Sequence, residues 1–419
     1  MKNRSGDNNT YDVAVVGGGP AGTSSAYYAA KLGLKTILFE KQVYPREKPC
    51  GGALSERSVP LLGLYAVNAI NCRIEEFQLY SPSFKRFVSR PLPARFVIRR
   101  EFDHAMAKDA REAGVELKEN SPVKTIQSLA SPSAGSYKIS TAESTVNARY
   151  VILATGYQNN RLIKELGIRE KREKDYLAMC MVSETPIDNG ILASTDFSGK
   201  VLGVFFGAVP NGYGWYFVKE GYINIGVGAT AILVKDIGIK NVYTNFVKNL
   251  QERELLPGGL ELVKASAFPL PFKKTAKKTV FDNVLLVGDS AGFVSPVTGE
   301  GLYYSLKGGQ LAAEAIAANI KNQTPLTVYQ ENCLKDFGND INKHGYFLRE
   351  RLYKSRARME FAVAAGRHDK AFAEILKKMI IGAYSYRKTM RKALLRLPIT
   401  LFKMLGRGAA TIRRTSGPS

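Results

Sequence analysis

Three glycines, Gly17, Gly19 and Gly22, follow the apolar run Tyr11-Asp12-Val13-Ala14-Val15-Val16, and an acid, Glu40, stands eighteen residues beyond the third. Each position has a chemical reason. Gly17 permits a tight strand-to-helix turn, Gly19 lets backbone approach a pyrophosphate, and Gly22 lets the helix pack on the strand. The N-terminus of the helix that follows would then face the phosphates with free N–H groups and a positive dipole, and Pro20 and Ala21 within the motif are candidates for the same site. Glu40, at the end of the next strand, can accept hydrogen bonds from ribose hydroxyls. Lys41, Val123 and Gly156 are further candidates for the same site. Far along the chain, Asn283-Val284-Leu285-Leu286-Val287 ends in Gly288-Asp289, and Pro296, Gly299, Gly301 and Leu302 lead into a second helix. Asp289 can accept hydrogen bonds from a polyhydroxylated ribityl chain or, read alone, cap a helix. The dipole of the helix after Gly301 would favour negative charge beside it. The first motif says dinucleotide. Both together, in this order and separation, point to FAD.

The elements that must position these residues are legible. Residues 11–16 read as a strand, Thr23–Leu32 as an Ala-rich helix and Thr36–Glu40 as a second strand, which makes a βαβ unit. Glu101–Gly114 has helical periodicity and stops at a glycine. Val115–Leu117 and Tyr150–Gly156 read as strands. From Ile168 to Phe272 the pattern becomes alternating and rich in Tyr, Phe, Val and Gly, as in an antiparallel sheet, and beyond residue 300 it turns helical. Ser128–Ser136 reads as a surface turn. The expected fold class is α/β: a Rossmann-like FAD-binding domain, an interleaved antiparallel β-sheet substrate domain and a C-terminal helical region. The FAD domain takes residues 1–72, 98–167 and 273–325, the substrate domain 73–97 and 168–272, and the basic C-terminal region 326–419. With 419 residues the chain can bury a core of more than one domain.

This combination resembles the flavoprotein group of para-hydroxybenzoate hydroxylase, and within it the geranylgeranyl reductase family. The resemblance covers roughly residues 11–330 and rests on Gly17–Gly22, Lys48-Pro49-Cys50-Gly51-Gly52, Arg99 with Phe102-Asp103, Gly288-Asp289, Pro296–Gly301 and Pro210-Asn211-Gly212-Tyr213-Gly214-Trp215-Tyr216-Phe217. It implies reduced FAD saturating carbon–carbon double bonds of polyprenyl chains, with the FAD domain interleaved with a β-sheet domain. It places Cys50, Gly51 and Gly52 near the flavin, where the Cys50 thiol either relays a proton to the alkene or simply lines the pocket. It gives Arg99 a cofactor contact, although Arg100 beside it could take that role. Tyr213, Trp215 and Phe217 become walls of the substrate cavity, an aromatic surface suited to an apolar isoprenoid. Val218 stands where the family pattern closes with proline, so that strand is expected to end differently. His104, His344 and His368 lie outside these motifs and read as solvated helix residues.

Cys50, Cys72, Cys180 and Cys333 show no metal-ligand spacing, no metal site is expected, and a reduced, cytoplasmic protein is the simplest reading. The net charge of +23 favours anionic partners. Eleven of the positive charges fall after Glu374, a stretch without any acid. There Arg387–Arg414 interleaves cations with Leu394, Leu395, Leu397, Ile399, Leu401, Phe402, Met404 and Leu405. It reads as a basic amphipathic helix broken at Pro398, lying on an anionic membrane at its inner face or packed on the protein. No nucleic-acid recognition module is evident. A second glycine fingerprint for a nicotinamide cofactor is absent, so reduction would come from transiently docked NADPH or from reduced ferredoxin, an acidic electron carrier. Two other readings stand beside the reductase. One is a flavin monooxygenase on the same scaffold; the other is a non-catalytic lipid-binding protein holding FAD. A halogenase fits less well, since Tyr213-Gly214-Trp215-Tyr216-Phe217-Val218 lacks that branch's Trp-x-Trp-x-Ile-Pro element.

Overall fold

The structure is a computed structural model, and it describes residues 9–129, 136–157, 160–168, 177–193, 199–272 and 275–415. The greater part of the Ser128–Ser136 turn lies outside them. Two eight-stranded sheets organise the chain. In the first the strands run in the order Val280–Phe281, Val284–Leu286, Thr145–Leu153, Thr10–Val16, Thr36–Phe39 and Glu116–Lys118. The pairings from Val284–Leu286 to Glu116–Lys118 are parallel. A hairpin of Thr125–Leu129 and Ser136–Ser140 joins antiparallel to Thr145–Leu153. Parallel strands buried on both faces read as continuous apolar runs, and Val13, Ala14, Val15, Val151, Ile152 and Leu153 share one core.

The first helix is Pro20–Lys31, three residues ahead of the start expected from its alanines, because Pro20 occupies the first turn. There a missing N–H costs nothing. The helix expected from Glu101 likewise begins earlier, at Arg99, and ends at Glu112.

The second sheet has the order Ser266–Pro271, Leu177–Pro186, Tyr222–Thr230, Tyr213–Lys219, Val201–Phe206, Ile70–Tyr80, Phe87–Val97 and Ala53–Ser55. It is antiparallel except where Val201–Phe206 pairs with Ile70–Tyr80. It also takes in Ala53–Ser55 and Ile70–Cys72, earlier than a boundary at residue 72; a three-residue strand has too little periodicity to read. Along Tyr213–Lys219 the side chains alternate. Trp215 and Phe217 enter one core, while Tyr216 and Val218 enter another with Val242, Tyr243, Phe246 and Leu250 of the helix Ile239–Gln251. Val218 keeps its place in the ladder opposite Ile223, and the strand runs on to Lys219.

The C-terminal helix corrects one expectation. It runs from Tyr386 to Thr415 with Pro398 inside it and does not break there. Proline removes one helical hydrogen bond, which ordinarily costs about 3 kcal/mol or more. Here both sides of the proline are fastened to one buried carboxylate. Asp369 accepts from Arg396 Nε at 2.7 Å, Thr400 Oγ1 at 2.8 Å and Lys403 Nζ at 3.0 Å. Tertiary contacts outweigh the local breaker.

Candidate active site between the two sheets

A cavity of about 820 Å³ opens between the sheets. At one end lie Gly17, Gly19, Pro20 and Ala21, with Glu40, Lys41, Val123 and Gly156 on the walls. Gly17 has φ +104°, and a Cβ there would stand 2.4 Å from the Ala154 carbonyl oxygen. A Cβ at Gly19 would meet no described protein atom within 4 Å, although Gly19 borders the cavity. Backbone is thus open to a ligand at the start of a helix, the arrangement that receives a pyrophosphate. Glu40 is buried and accepts from the N–H groups of Gly18 at 2.8 Å and Gln42 at 3.1 Å. Of the residues expected to hold a cofactor, Gly22, Gly288 and Pro296 are not on the cavity wall. Gly22 packs on Gly17, and Gly288 on the side chain of Ala21. Cys50, Gly51, Gly52, Arg99, Asp289, Gly299, Gly301 and Leu302 are on the wall, as are Tyr213, Trp215 and Phe217.

A buried charge cluster lies under the cradle. Arg99 grips Asp103 through Nε at 2.7 Å and Nη2 at 2.9 Å, and Arg46 reaches the same carboxylate at 3.0 Å. Arg46 Nη2 also donates to the Gly18 carbonyl at 3.0 Å and lies 3.5 Å from Glu40. Burial, the largest single influence, would lower the pKa of both guanidiniums, but Asp103 acting with Glu40 and Tyr44 on Arg46, and with Cys50 on Arg99, raises both. Arg100, the alternative to Arg99, is exposed and pairs with Glu47 at 3.7 Å. Desolvation pushes the Asp289 carboxyl above its usual range, against the pull of Lys48 and Arg99. Desolvation followed by repulsion from Arg99 pushes Lys48 down.

Cys50 sits where the cradle gives way to an apolar chamber. Its sulfur accepts from the Gly52 N–H at 3.3 Å. The chamber is walled by Phe77, Leu79, Leu92, Leu202, Val204, Phe206, Phe268, Leu270 and Phe272 with the three aromatic residues already named. Cys180 also lines it, and burial, reinforced by Cys50, pushes that thiol up to about 12. Tyr353, Met379, Ile380 and Ile381 close the far side from the C-terminal region. Three tyrosines fasten the loop before the second helix. Tyr213 donates to the Thr298 carbonyl at 2.6 Å, Tyr353 to that of Val297 at 2.7 Å, and Tyr386 bonds Ser295. Glu300 in the same loop accepts from Ser55 Oγ at 2.7 Å and Arg57 Nη2 at 2.6 Å. None of the three histidines lines the cavity. Among the described residues no group of three or more His, Cys, Asp or Glu side chains could hold a metal ion.

Sequence reasoning missed Arg46, Glu300 and the C-terminal wall. Arg46 lies just ahead of the Lys48–Gly52 motif and Glu300 inside the Pro296–Gly301 motif, so proximity could have found both. Tyr353 and Met379–Ile381 carry no local signal, because only the folded chain brings them to the cavity.

The cradle, the Gly-Asp strand end and the interleaved sheets define an FAD-dependent oxidoreductase. The family model described as FAD dependent oxidoreductase matches residues 12–157. The chain is 30% identical to a menaquinone reductase of Mycobacterium tuberculosis, covering 73% of this chain and 76% of that one. It is 29% identical to a digeranylgeranylglycerophospholipid reductase of Methanococcus vannielii, covering 78% and 81%. Among solved structures, a geranylgeranyl bacteriochlorophyll reductase-like protein of Thermoplasma acidophilum superposes with a TM-score of 0.76 at 22% identity, covering 92% of this chain and 98% of that one. A flavin-dependent brominase shares the fold with a TM-score of 0.70 at 17% identity, covering 93% and 99%. The chain belongs to the geranylgeranyl reductase family of FAD-dependent oxidoreductases.

Proposed function

We propose that this protein saturates carbon–carbon double bonds in a geranylgeranyl or other polyprenyl chain carried by a lipid, a quinone or a chlorophyll-type precursor. The observation that carries the reading is the continuity of one cavity, from the glycine cradle past Cys50 into an aromatic and aliphatic chamber. Reduced FAD, when bound, supplies hydride to one alkene carbon. Gly17, Gly19, Glu40, Arg99 and Asp289 would hold it. The Cys50 thiol delivers the proton to the other carbon. Trp215, Phe217 and Phe206 orient the chain and exclude water. NADPH or reduced ferredoxin supplies the electrons, and an acidic carrier suits a protein of net charge +23.

The test is anaerobic incubation of the photoreduced protein with geranylgeranyl lipids or geranylgeranyl pyrophosphate. Mass spectrometry should detect successive gains of hydrogen pairs as the flavin reoxidises. Hydroxylation of an aromatic compound on admitting oxygen, without any hydrogen gain, would replace this reading with a monooxygenase. Substrate binding without turnover on a redox-inert flavin would leave a lipid-binding protein. Cys50→Ala should retain FAD and slow reduction by about 100-fold, the scale of a general acid. Unchanged turnover would remove Cys50 from the mechanism.

The C-terminal helix supports docking at the inner face of a cytoplasmic membrane. No described helix is long and apolar enough to cross one. Its outward side is basic at Arg387, Lys388, Arg391 and Lys392 and then apolar at Leu394, Leu395, Ile399, Phe402 and Leu405. Phe402 is 77% exposed and Leu395 76%. That gradation matches an anionic headgroup layer beside acyl chains. Flotation with phosphatidylglycerol vesicles should carry the protein upward. Leu395→Ser with Phe402→Ser should abolish it, and equal binding by the double variant would exclude this face.

A further inference from the structure

The cavity-side core of the second sheet buries Cys180, Val182, Trp215 and Phe217 together. A polar trio interrupts this apolar surface: Glu184, Lys219 and Asn224. Lys219 and Asn224 are each 0% exposed. Asn224 stands opposite Glu184 on one neighbouring strand and opposite Phe217 on the other. Lys219 Nζ pairs with Glu184 and donates to the Val97 carbonyl at 3.1 Å. The Asn224 amide donates to the Cys50 carbonyl at 2.9 Å and to Glu184 Oε1 at 3.1 Å, and accepts from the Trp215 indole N–H at 2.8 Å. An indole N–H can only donate and a backbone carbonyl can only accept, so these two neighbours fix which way the amide points.

Polar groups in an apolar core are costly unless every member is satisfied. Here the cost falls where the turn Lys48–Gly52 crosses the sheet. The turn is seated on other sides too. Val97 donates to the Gly52 carbonyl at 2.9 Å. A Cβ on Gly51 would meet Phe217 at 2.7 Å, and one on Gly52, at φ +72°, would meet Lys219 Nζ at 2.9 Å. Asn224 therefore joins the carbonyl of Cys50, the substrate-wall Trp215 and the partly buried Lys219–Glu184 pair.

We propose that Asn224 is a positioning residue for the Cys50 thiol, with Glu184 and Lys219 holding it in place. The same amide sets the tilt of Trp215, so thiol and aromatic wall move as one unit. Its mechanistic value rests on Cys50 as proton donor; the geometry does not.

The experiment measures two quantities on FAD-loaded protein. One is the rate at which iodoacetamide modifies Cys50, quantified at peptide level with Cys72 as internal reference. The other is geranylgeranyl reduction, resolved into kcat and KM. Asn224→Ala should retain the flavin spectrum, speed Cys50 modification at least fivefold relative to Cys72, and lower kcat at least tenfold with KM within threefold. Asn224→Asp, isosteric but unable to donate to the Cys50 carbonyl, should move both readings in the same direction and serves if the alanine variant fails to fold. Wild-type modification rate and kcat in both Asn224 variants would overturn the proposal. If Cys50→Ala turns over normally while the Asn224 variants still speed modification, the proton-donor reading fails and the positioning stands.

Discussion

Removing the charge of Asp103 tests whether the cluster beneath the cradle is a structural unit. Asp103→Asn keeps the shape and deletes the anion that two guanidiniums share. Arg46 retains Glu40 at 3.5 Å and the Gly18 carbonyl at 3.0 Å, so it is partly compensated. Arg99 is the more vulnerable, because Asp103 supplies both of its hydrogen bonds to a carboxylate. Three charge-assisted hydrogen bonds are weakened, at about 1.5–3 kcal/mol each. They share one acceptor group, and asparagine still accepts once, so the sum is an upper bound. Breaking a buried pair from one side costs about 3–5 kcal/mol, most of it the uncompensated charge left behind. For a chain of 419 residues, unfolding entropy of about 2.1 cal/mol/K per residue converts each kcal/mol into roughly 1 °C. The apoprotein should therefore lose about 3–5 °C in a thermal shift, with a matching fall in urea midpoint. The double variant Arg99→Met, Asp103→Leu should lose less than the single one, since it removes both charges. A single variant within 1 °C of wild type, or a double variant that loses more, would refute the reasoning.

Gly17→Ala meets both a positive φ and the Ala154 carbonyl at 2.4 Å; strain alone costs about 1–3 kcal/mol, and the purified variant should emerge from gel filtration without flavin absorbance. Asp369→Asn removes the anchor of the C-terminal helix at a cost of about 1–3 kcal/mol, which should raise hydrogen exchange across residues 386–405 roughly 5- to 150-fold. Arg396 above all, then Lys403 and Thr400, holds the Asp369 carboxyl well below the usual range despite its burial. A depressed folded pKa stabilises above the unfolded value of about 4. The wild-type advantage over Asp369→Asn should therefore be full at pH 7 and shrink as pH falls below 4; a pH-independent difference would contradict it. Cys180, pushed up to about 12 by burial, should remain unmodified by iodoacetamide at pH 8 in folded protein, and rapid labelling would contradict its enclosure.

Much of the cofactor end was legible because its signals are local. Gly17, Gly19 and Gly22 are close in sequence, and each glycine answers a backbone requirement within the same turn. Glu40 and Asp289 mark the ends of apolar strands, which burial on both faces makes continuous runs. The alternation of Trp215 and Phe217 with Tyr216 and Val218 likewise announces a sheet with two distinct faces. The helix through Pro398 was misread because local propensity disfavours it, and its compensation comes from Asp369, nearly thirty residues earlier.

By itself the sequence determined the class of cofactor and the two-sheet α/β plan, since short-range spacing and periodicity encode both, while the aromatic cavity wall followed from the resemblance of Pro210–Phe217 to a family element. Only the tertiary structure decided which of Arg99 and Arg100 turns inward, that Arg46 and Arg99 share Asp103, that the Asn224 amide meets the Cys50 carbonyl, and that Tyr353 and Met379–Ile381 close the chamber. Those outcomes depend on desolvation and on contacts between residues dozens to hundreds of positions apart. The free energy of such contacts exists only once packing has excluded water and brought the partners within hydrogen-bonding distance.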